Sequence, residues 1–133
     1  MFKQSKVCIA KSSFSPCIVA YKNNDIVGLL TYKVYDEYIE IISIDSFVEN
    51  KGIGSHLLNY AEIIASDMSK RSISVITTNE NIKALYFYQK NKYRITDVIF
   101  DAVTEARKIK PSIPAIDKNG IEIRDEIVLR KCL

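Results

Sequence analysis

After a short first segment around Val7 to Ala10, three stretches rich in Val, Ile and Tyr follow one another, Cys17 to Tyr21, Ile26 to Tyr35 and Tyr38 to Ile44, a composition that suits half-buried strands. Asn23-Asn24-Asp25 and Asp36-Glu37 between them are residues that tolerate turn geometry, so the pattern predicts an antiparallel meander joined by hairpins. The period then changes. From Gly54 onward, Leu57, Leu58, Ala61, Ile64, Ala65 and Met68 recur at helical spacing, which predicts an amphipathic helix of about four turns ending near Lys70 and Arg71. Ser72 to Thr77 reads as a strand again, and strand, helix, strand in succession imply a right-handed crossover with Tyr38 to Ile44 and Ser72 to Thr77 side by side and parallel. A second helix starts just after Asn79 and carries Ile82, Leu85 and Tyr88 on one stripe. A strand near Tyr93 to Phe100 follows it. Ala102 to Ile109 has good helix formers, with Pro111 and Pro114 breaking what they form, and Glu126 to Leu129 is short and apolar enough for a closing strand.

Composition narrows the class. The chain has 133 residues, 47% apolar and 26% charged, enough for one compact domain over residues 1–133 and too little for two. No repeat, low-complexity tract or linker divides it. No run approaches the roughly 18 to 20 apolar residues of a membrane span, and Met1 to Ser5 lacks the basic-then-apolar layout of a secretory signal, so the expected location is cytoplasmic with no membrane partner. Cys8, Cys17 and Cys132 are scattered and lack metal-ligand spacing, which predicts reduced thiols and no metal. A net charge of +3 from 19 basic and 16 acidic residues is too balanced for nucleic-acid binding but compatible with one local anion pocket.

The place for that pocket is the turn from Ile44 through Ser55. Gly52 and Gly54 let backbone N–H groups converge on an anion, and the helix N-terminus adds about half a positive charge at the same spot. Phosphate is the natural ligand. A tight turn with close helix packing is the plainer reading of the same glycines. Two rival motifs fail: a Walker A loop needs Gly-Lys-Ser/Thr, whereas Lys51 precedes the glycines and His56 and Leu57 follow. A dinucleotide fingerprint needs a third glycine where Leu57 stands and an acid near Ser72 to Ser74.

Val48 through Leu58, centred on Lys51-Gly52-Ile53-Gly54-Ser55, resembles motif A of the GCN5-related N-acetyltransferases (GNAT), whose loop wraps the pyrophosphate of acetyl-CoA. Asn81 to Tyr93 resembles the family's N-x-x-A-x-x-F-Y-x-x-x-G-F, and Ile121 to Lys131 is similar to the tail of small bacterial members. The resemblance spans most of the chain from Ile18 onward. It implies a three-layer α/β (α+β) fold with a mixed, mostly antiparallel sheet, one parallel strand–helix–strand unit, and N-terminal helices shortened or absent. Three departures stand out: Glu49 where the family has Gln or Arg, Lys92 in place of the second motif's glycine, and a region before Ile18 too short for the usual first strand and two helices.

The resemblance further implies an acetyl-CoA-dependent N-acyltransferase that moves acetyl to a primary amine by direct attack in a ternary complex, without metal. The backbone N–H groups of Gly52, Ile53, Gly54 and Ser55 would hold pyrophosphate, and Ile44 and Ser46 would pair with the pantetheine chain. Lys51 would add charge there, or is a solvated loop lysine. Tyr88 would be the acid beside the CoA sulfur, as a phenol able to donate to a developing thiolate, or else a core aromatic. Asn81 would contact the cofactor arm, cap the helix, or do both. For the base the candidate is Glu40, which in a period-2 reading shares a face with Ile42 and Ile44; Asp45 is second, and a solvent-facing role is the plainer reading of Glu40. His56 falls off the apolar stripe, as a surface residue does. The acceptor would be a small-molecule or peptide amine, and a homodimer is one way to cover the open front. The alternative function is a CoA-binding sensor or interaction module without efficient transfer.

Overall fold

The computed structural model describes residues 16–48 and 52–133, and the backbone alone of residues 4–9. The chain forms two compact units, Met1–Ser74 with Cys132–Leu133, and Val75–Lys131.

In the first unit, β1 (Gln4–Ile9), β2 (Pro16–Lys22), β3 (Asp25–Val34) and β4 (Tyr38–Ser46) form an antiparallel meander, and α1 (Ile53–Asp67) leads to β5 (Ser72–Thr78), so the strand order is β1-β2-β3-β4-β5. β4 and β5 are the parallel pair that a helical crossover produces. The hairpins fall where the turn residues predict them, with Asn23 at φ 58° in the first. Among the described residues no helix precedes β2.

Ile53, Leu57, Leu58, Ala61 and Ala65 form the buried stripe of α1, which packs against Ile18, Leu30, Tyr32, Ile39 and Ile41, each under 5% exposed. Met68, expected on this stripe, is instead the C-cap and 43% exposed. The helix ends there because Ser69 turns to φ 59° and the Ser69 and Lys70 amides donate to the Ser66 and Ala65 carbonyls, the paired bonds of a Schellman motif. Gly28 is required for this packing. A Cβ at Gly28 would lie 2.5 Å from Ile53 Cγ2, 3.1 Å from Leu57 Cδ1 and 3.2 Å from the Asp45 carbonyl oxygen, so the missing side chain is what lets α1 lie down on β3.

Cys17 is buried and disulfide-bonded, which corrects the expectation of a reduced thiol. The backbone register sets Cys8 across the ladder from it, a proximity created by strand pairing and invisible in linear spacing. Cys132 is free and exposed.

In the second unit the rest of β5 is followed by α2 (Ile82–Lys90), β6 (Arg94–Ile99), α3 (Ala102–Ile109) and β7 (Glu126–Cys132), in the order β5-β7-β6 with β6 and β7 antiparallel. Val75, Tyr88, Tyr93, Val103 and Leu129 are its buried apolar side chains. Ile82, placed on the inward stripe by its spacing, is 59% exposed in the first turn of α2. Two polar clamps order the long segment before β7. Arg107 donates to the carbonyls of Ile113, Pro114 and Ile123. Asn79 donates from Nδ2 to the Glu122 carbonyl and accepts at Oδ1 from the Arg124 and Asp125 amides.

Candidate active site

The first unit supplies a helix start built for an anion. Gly52 is the N-cap of α1 at φ 69°, ψ 18°, no side chain caps the helix, and its first turn holds no acidic residue. The first intrahelical bond runs from the His56 amide to the Gly52 carbonyl at 3.1 Å. The N–H groups of Ile53, Gly54 and Ser55 therefore precede it, as helix geometry requires, and they have no acceptor among the described residues. Three outward amides at the positive end of a 15-residue helix are donors of the kind that suits a phosphate. The left-handed conformation of Gly52 explains that glycine. Gly54 lies inside the first turn of the helix, where no left-handed conformation requires a glycine. Lys51 and Glu49 lie outside the described residues.

β4 leads toward this helix start, and it is not regular. Tyr32 pairs with Ile41 but Thr31 pairs with Ser43, so Ile42 is an extra residue, a β-bulge. The consequence for the side chains is direct. Gly28, Leu30 and Tyr32 point toward α1, and their partners Ser46, Ile44 and Ile41 share that face. Glu40, opposite Lys33, shares the other face with Ser43 and Asp45, where Thr31 and Ser43 hydroxyls meet at 2.6 Å. The expectation that Glu40 shares a face with Ile44 is thus corrected: a period-2 count cannot see the residue that the bulge inserts. Glu40 is half-buried, Asp45 and Ser46 are exposed, and His56 is exposed. The Ser46 hydroxyl donates to the Val48 carbonyl at 2.9 Å, holding the chain as it leaves β4.

Asn81 and Tyr88 lie in the second unit. Asn81 caps α2, its Oδ1 accepting from the Ala84 amide at 3.1 Å, and this leaves the two Nδ2 donors available. Tyr88 is 5% exposed, edge-on to Phe87 and Tyr93 with centroids 5.2 Å and 5.9 Å away. Its hydroxyl has no hydrogen-bond partner among the described residues. Burial pushes the phenol up to about 12, because the apolar surroundings disfavour the phenolate, so at neutral pH it is a donor that keeps its proton. Lys92 occupies the position of the missing glycine with φ 75° all the same. Its amide donates to the Gln89 carbonyl and the Tyr93 amide to the Tyr88 carbonyl, at 3.0 Å and 2.9 Å, a Schellman closure made at the cost of a lysine in left-handed conformation.

Sequence reasoning missed Gly28 and Asn79. A glycine inside a strand of Val, Leu and Tyr was a readable sign of close backbone approach. Asn79 gave no such signal, since its three bonds go to residues more than 40 positions away. No group of three or more metal-ligating side chains occurs among the described residues, and no helix among them is long and apolar enough to cross a membrane.

Residues 3–93 match the acetyltransferase (GNAT) family. The Bacillus subtilis (strain 168) protein YxbD is 50% identical over 109 residues, which is 82% of this chain and 69% of that protein. Among solved structures, a GNAT family acetyltransferase from Elizabethkingia anophelis with acetyl-CoA bound superposes with a TM-score of 0.77 at 30% identity, covering 90% of this chain and 76% of that one. A Bacillus subtilis acetyltransferase in complex with CoA gives 0.75 at 26% identity, over 90% and 77% of the two chains.

Proposed function

This chain belongs to the acetyltransferase (GNAT) family, and from that premise we propose that its 133 residues act as one domain that moves an acetyl group from acetyl-CoA to a primary amine by direct attack in a ternary complex. The observation that carries the reading is the start of α1: a left-handed Gly52, no capping side chain, no acid in the first turn, and three amides without an acceptor among the described residues. That arrangement suits a pyrophosphate, and the likeness to chains that hold acetyl-CoA or CoA supports it.

In this reading the amides of Ile53, Gly54 and Ser55, with Gly52 and Lys51 beside them, neutralise the pyrophosphate, while Ile44 and Ser46 present backbone groups to the pantetheine amides and Asn81 offers Nδ2 to the same arm. Acetyl-CoA supplies an activated thioester. The amine nitrogen bonds to the thioester carbon, the carbon–sulfur bond breaks, the surplus ammonium proton passes to a base, and the departing thiolate is met by the Tyr88 hydroxyl. A phenol held above its ordinary value stabilises that thiolate chiefly by hydrogen bonding, since full proton transfer from so weak an acid is uphill. Glu40 is the proposed base; its half-buried carboxylate beside Ser43 and Thr31 is polar ground on which an ammonium can lose its proton. The chain would act in the cytoplasm on a small-molecule or peptide amine.

The deciding experiment is thiol release from acetyl-CoA against a chemically diverse panel of amines, with CoA binding measured in parallel. Acetylated amine and free CoA in equal amounts support transfer. Tight CoA binding with no thiol release across the panel replaces the enzyme by a CoA-binding module. Glu40→Gln should lower the rate most at low pH, where an ammonium acceptor most needs a base.

A further inference from the structure

We propose that the turn between α2 and β6 is a second anion site, built wholly from the second unit, that takes a small organic ligand bearing a carboxylate or phosphate group. Three local costs meet there. Lys92 is held at φ 75°, a conformation that any side chain beyond glycine disfavours. Arg94 stands directly across the β6–β7 ladder from Arg130, and like charges in that position repel. Neither Lys92 nor Arg94 has an ion-pair partner among the described residues.

These residues border a concavity of about 450 Å³ lined by Gln89, Lys92, Tyr93, Arg94 and Ile95. Tyr93, 2% exposed, provides an apolar floor and Ile95 an apolar wall, so the fit is to an anion carried on a small organic body. The negative end of α2 would oppose an anion if its last carbonyls were bare, but those of Tyr88 and Gln89 are engaged by the Tyr93 and Lys92 amides. Lys131 adds to the positive field. Its Nζ lies 5.8 Å from the Tyr93 ring centre and donates to the Asn91 carbonyl. A bound anion answers the two charge costs, since it pairs Lys92, accepts from the Arg94 guanidinium fork, and screens Arg94 from Arg130.

The test is residue-resolved amide NMR of the full chain with CoA present throughout, titrated in one arm with succinate and in another with inorganic phosphate. The expected result is saturable shifts of the Lys92, Tyr93, Arg94 and Ile95 amides in at least one arm, the better-binding arm fixing whether carboxylate or phosphate is preferred. Lys92→Gly and Arg94→Gln should each weaken that binding by roughly tenfold or more, the share of a charge-assisted hydrogen bond. Lys92→Gly relieves backbone strain, so loss of folding does not cloud its result. No saturable shift at residues 92–95 in either arm, or undiminished affinity in both variants, overturns the proposal. The readout needs no turnover, so failure of acetyl transfer and failure of this site are seen separately.

Discussion

The rings of Tyr88 and Tyr93 lie edge to face, centroids 5.9 Å apart and planes at 62°, and the Tyr93 amide donates to the Tyr88 carbonyl at 2.9 Å. The residue proposed to face the thiolate is therefore fixed twice, by a ring contact and by the backbone closure of its own helix. The apolar contact that often accompanies a Schellman motif joins these same two positions, so the end of α2 also sets the orientation of the phenol.

Tyr88→Phe keeps the ring contacts and removes the hydroxyl. Calorimetric CoA affinity should stay within about twofold, whereas turnover should fall by up to the roughly 10² to 10⁴ that general acid catalysis supplies. Undiminished turnover would take Tyr88 out of the mechanism.

The same burial makes a prediction in alkaline solution. The phenol ionises near 10 when unfolded and is pushed up to about 12 by burial, so between those values the unfolded chain has lost a proton that the folded chain retains. Stability should thus be unaffected below about pH 10 and decline as pH rises toward 12, by ~2 to 3 kcal/mol in all. Denaturation midpoints across that window, compared with Tyr88→Phe, isolate this share; identical pH slopes for the two proteins would contradict it.

Lys92→Gly should stabilise the protein by ~1 kcal/mol, because glycine takes up φ 75° without the Cβ clash that lysine carries. A thermal melt that moves upward by a few degrees is the expected outcome, and a downward shift would mean that the lysine side chain contributes more than its backbone costs.

Gly54→Val places a branched side chain in the first turn of α1, beside the three amides. Calorimetry should show CoA binding abolished with the fold retained by circular dichroism, and unchanged affinity would contradict the phosphate cradle.

Gly28→Ala should destabilise by ~1 to 3 kcal/mol, the usual cost of overpacking. The added carbon lies 2.5 Å from Ile53 Cγ2 and 3.2 Å from the Asp45 carbonyl oxygen. Since Ile53 is the first residue of α1, CoA affinity should fall together with the chemical-denaturation midpoint; a change in neither would show that the helix can shift freely on β3.

Much of the architecture was legible because it rests on local period. Stretches rich in Val, Ile and Tyr with turn residues between them gave the meander, the spacing of Leu57, Leu58, Ala61 and Ala65 gave α1, and the glycines between strand and helix marked its start. The boundaries of α3 and the start of β7 were readable from Pro111, Pro114 and the closing apolar run. The errors arose where one residue broke the count or where distant segments met. The bulge at Ile42 moved Ile44 to the face away from Glu40, and strand pairing brought position 8 across from Cys17.

Readable in local sequence were the class of fold, the glycine-led start of α1 and the Asn81 cap of α2, because helix period, glycine placement and capping chemistry act over a few residues. What tertiary structure alone decided was which face Glu40 occupies, why Gly28 carries no side chain, how Asn79 ties down residues 122–125, and that Arg94 confronts Arg130. Each of these depends on register or on packing between elements far apart in the chain, and the physical quantity that fixes it, a contact distance or a cross-strand pairing, does not exist until the chain has folded.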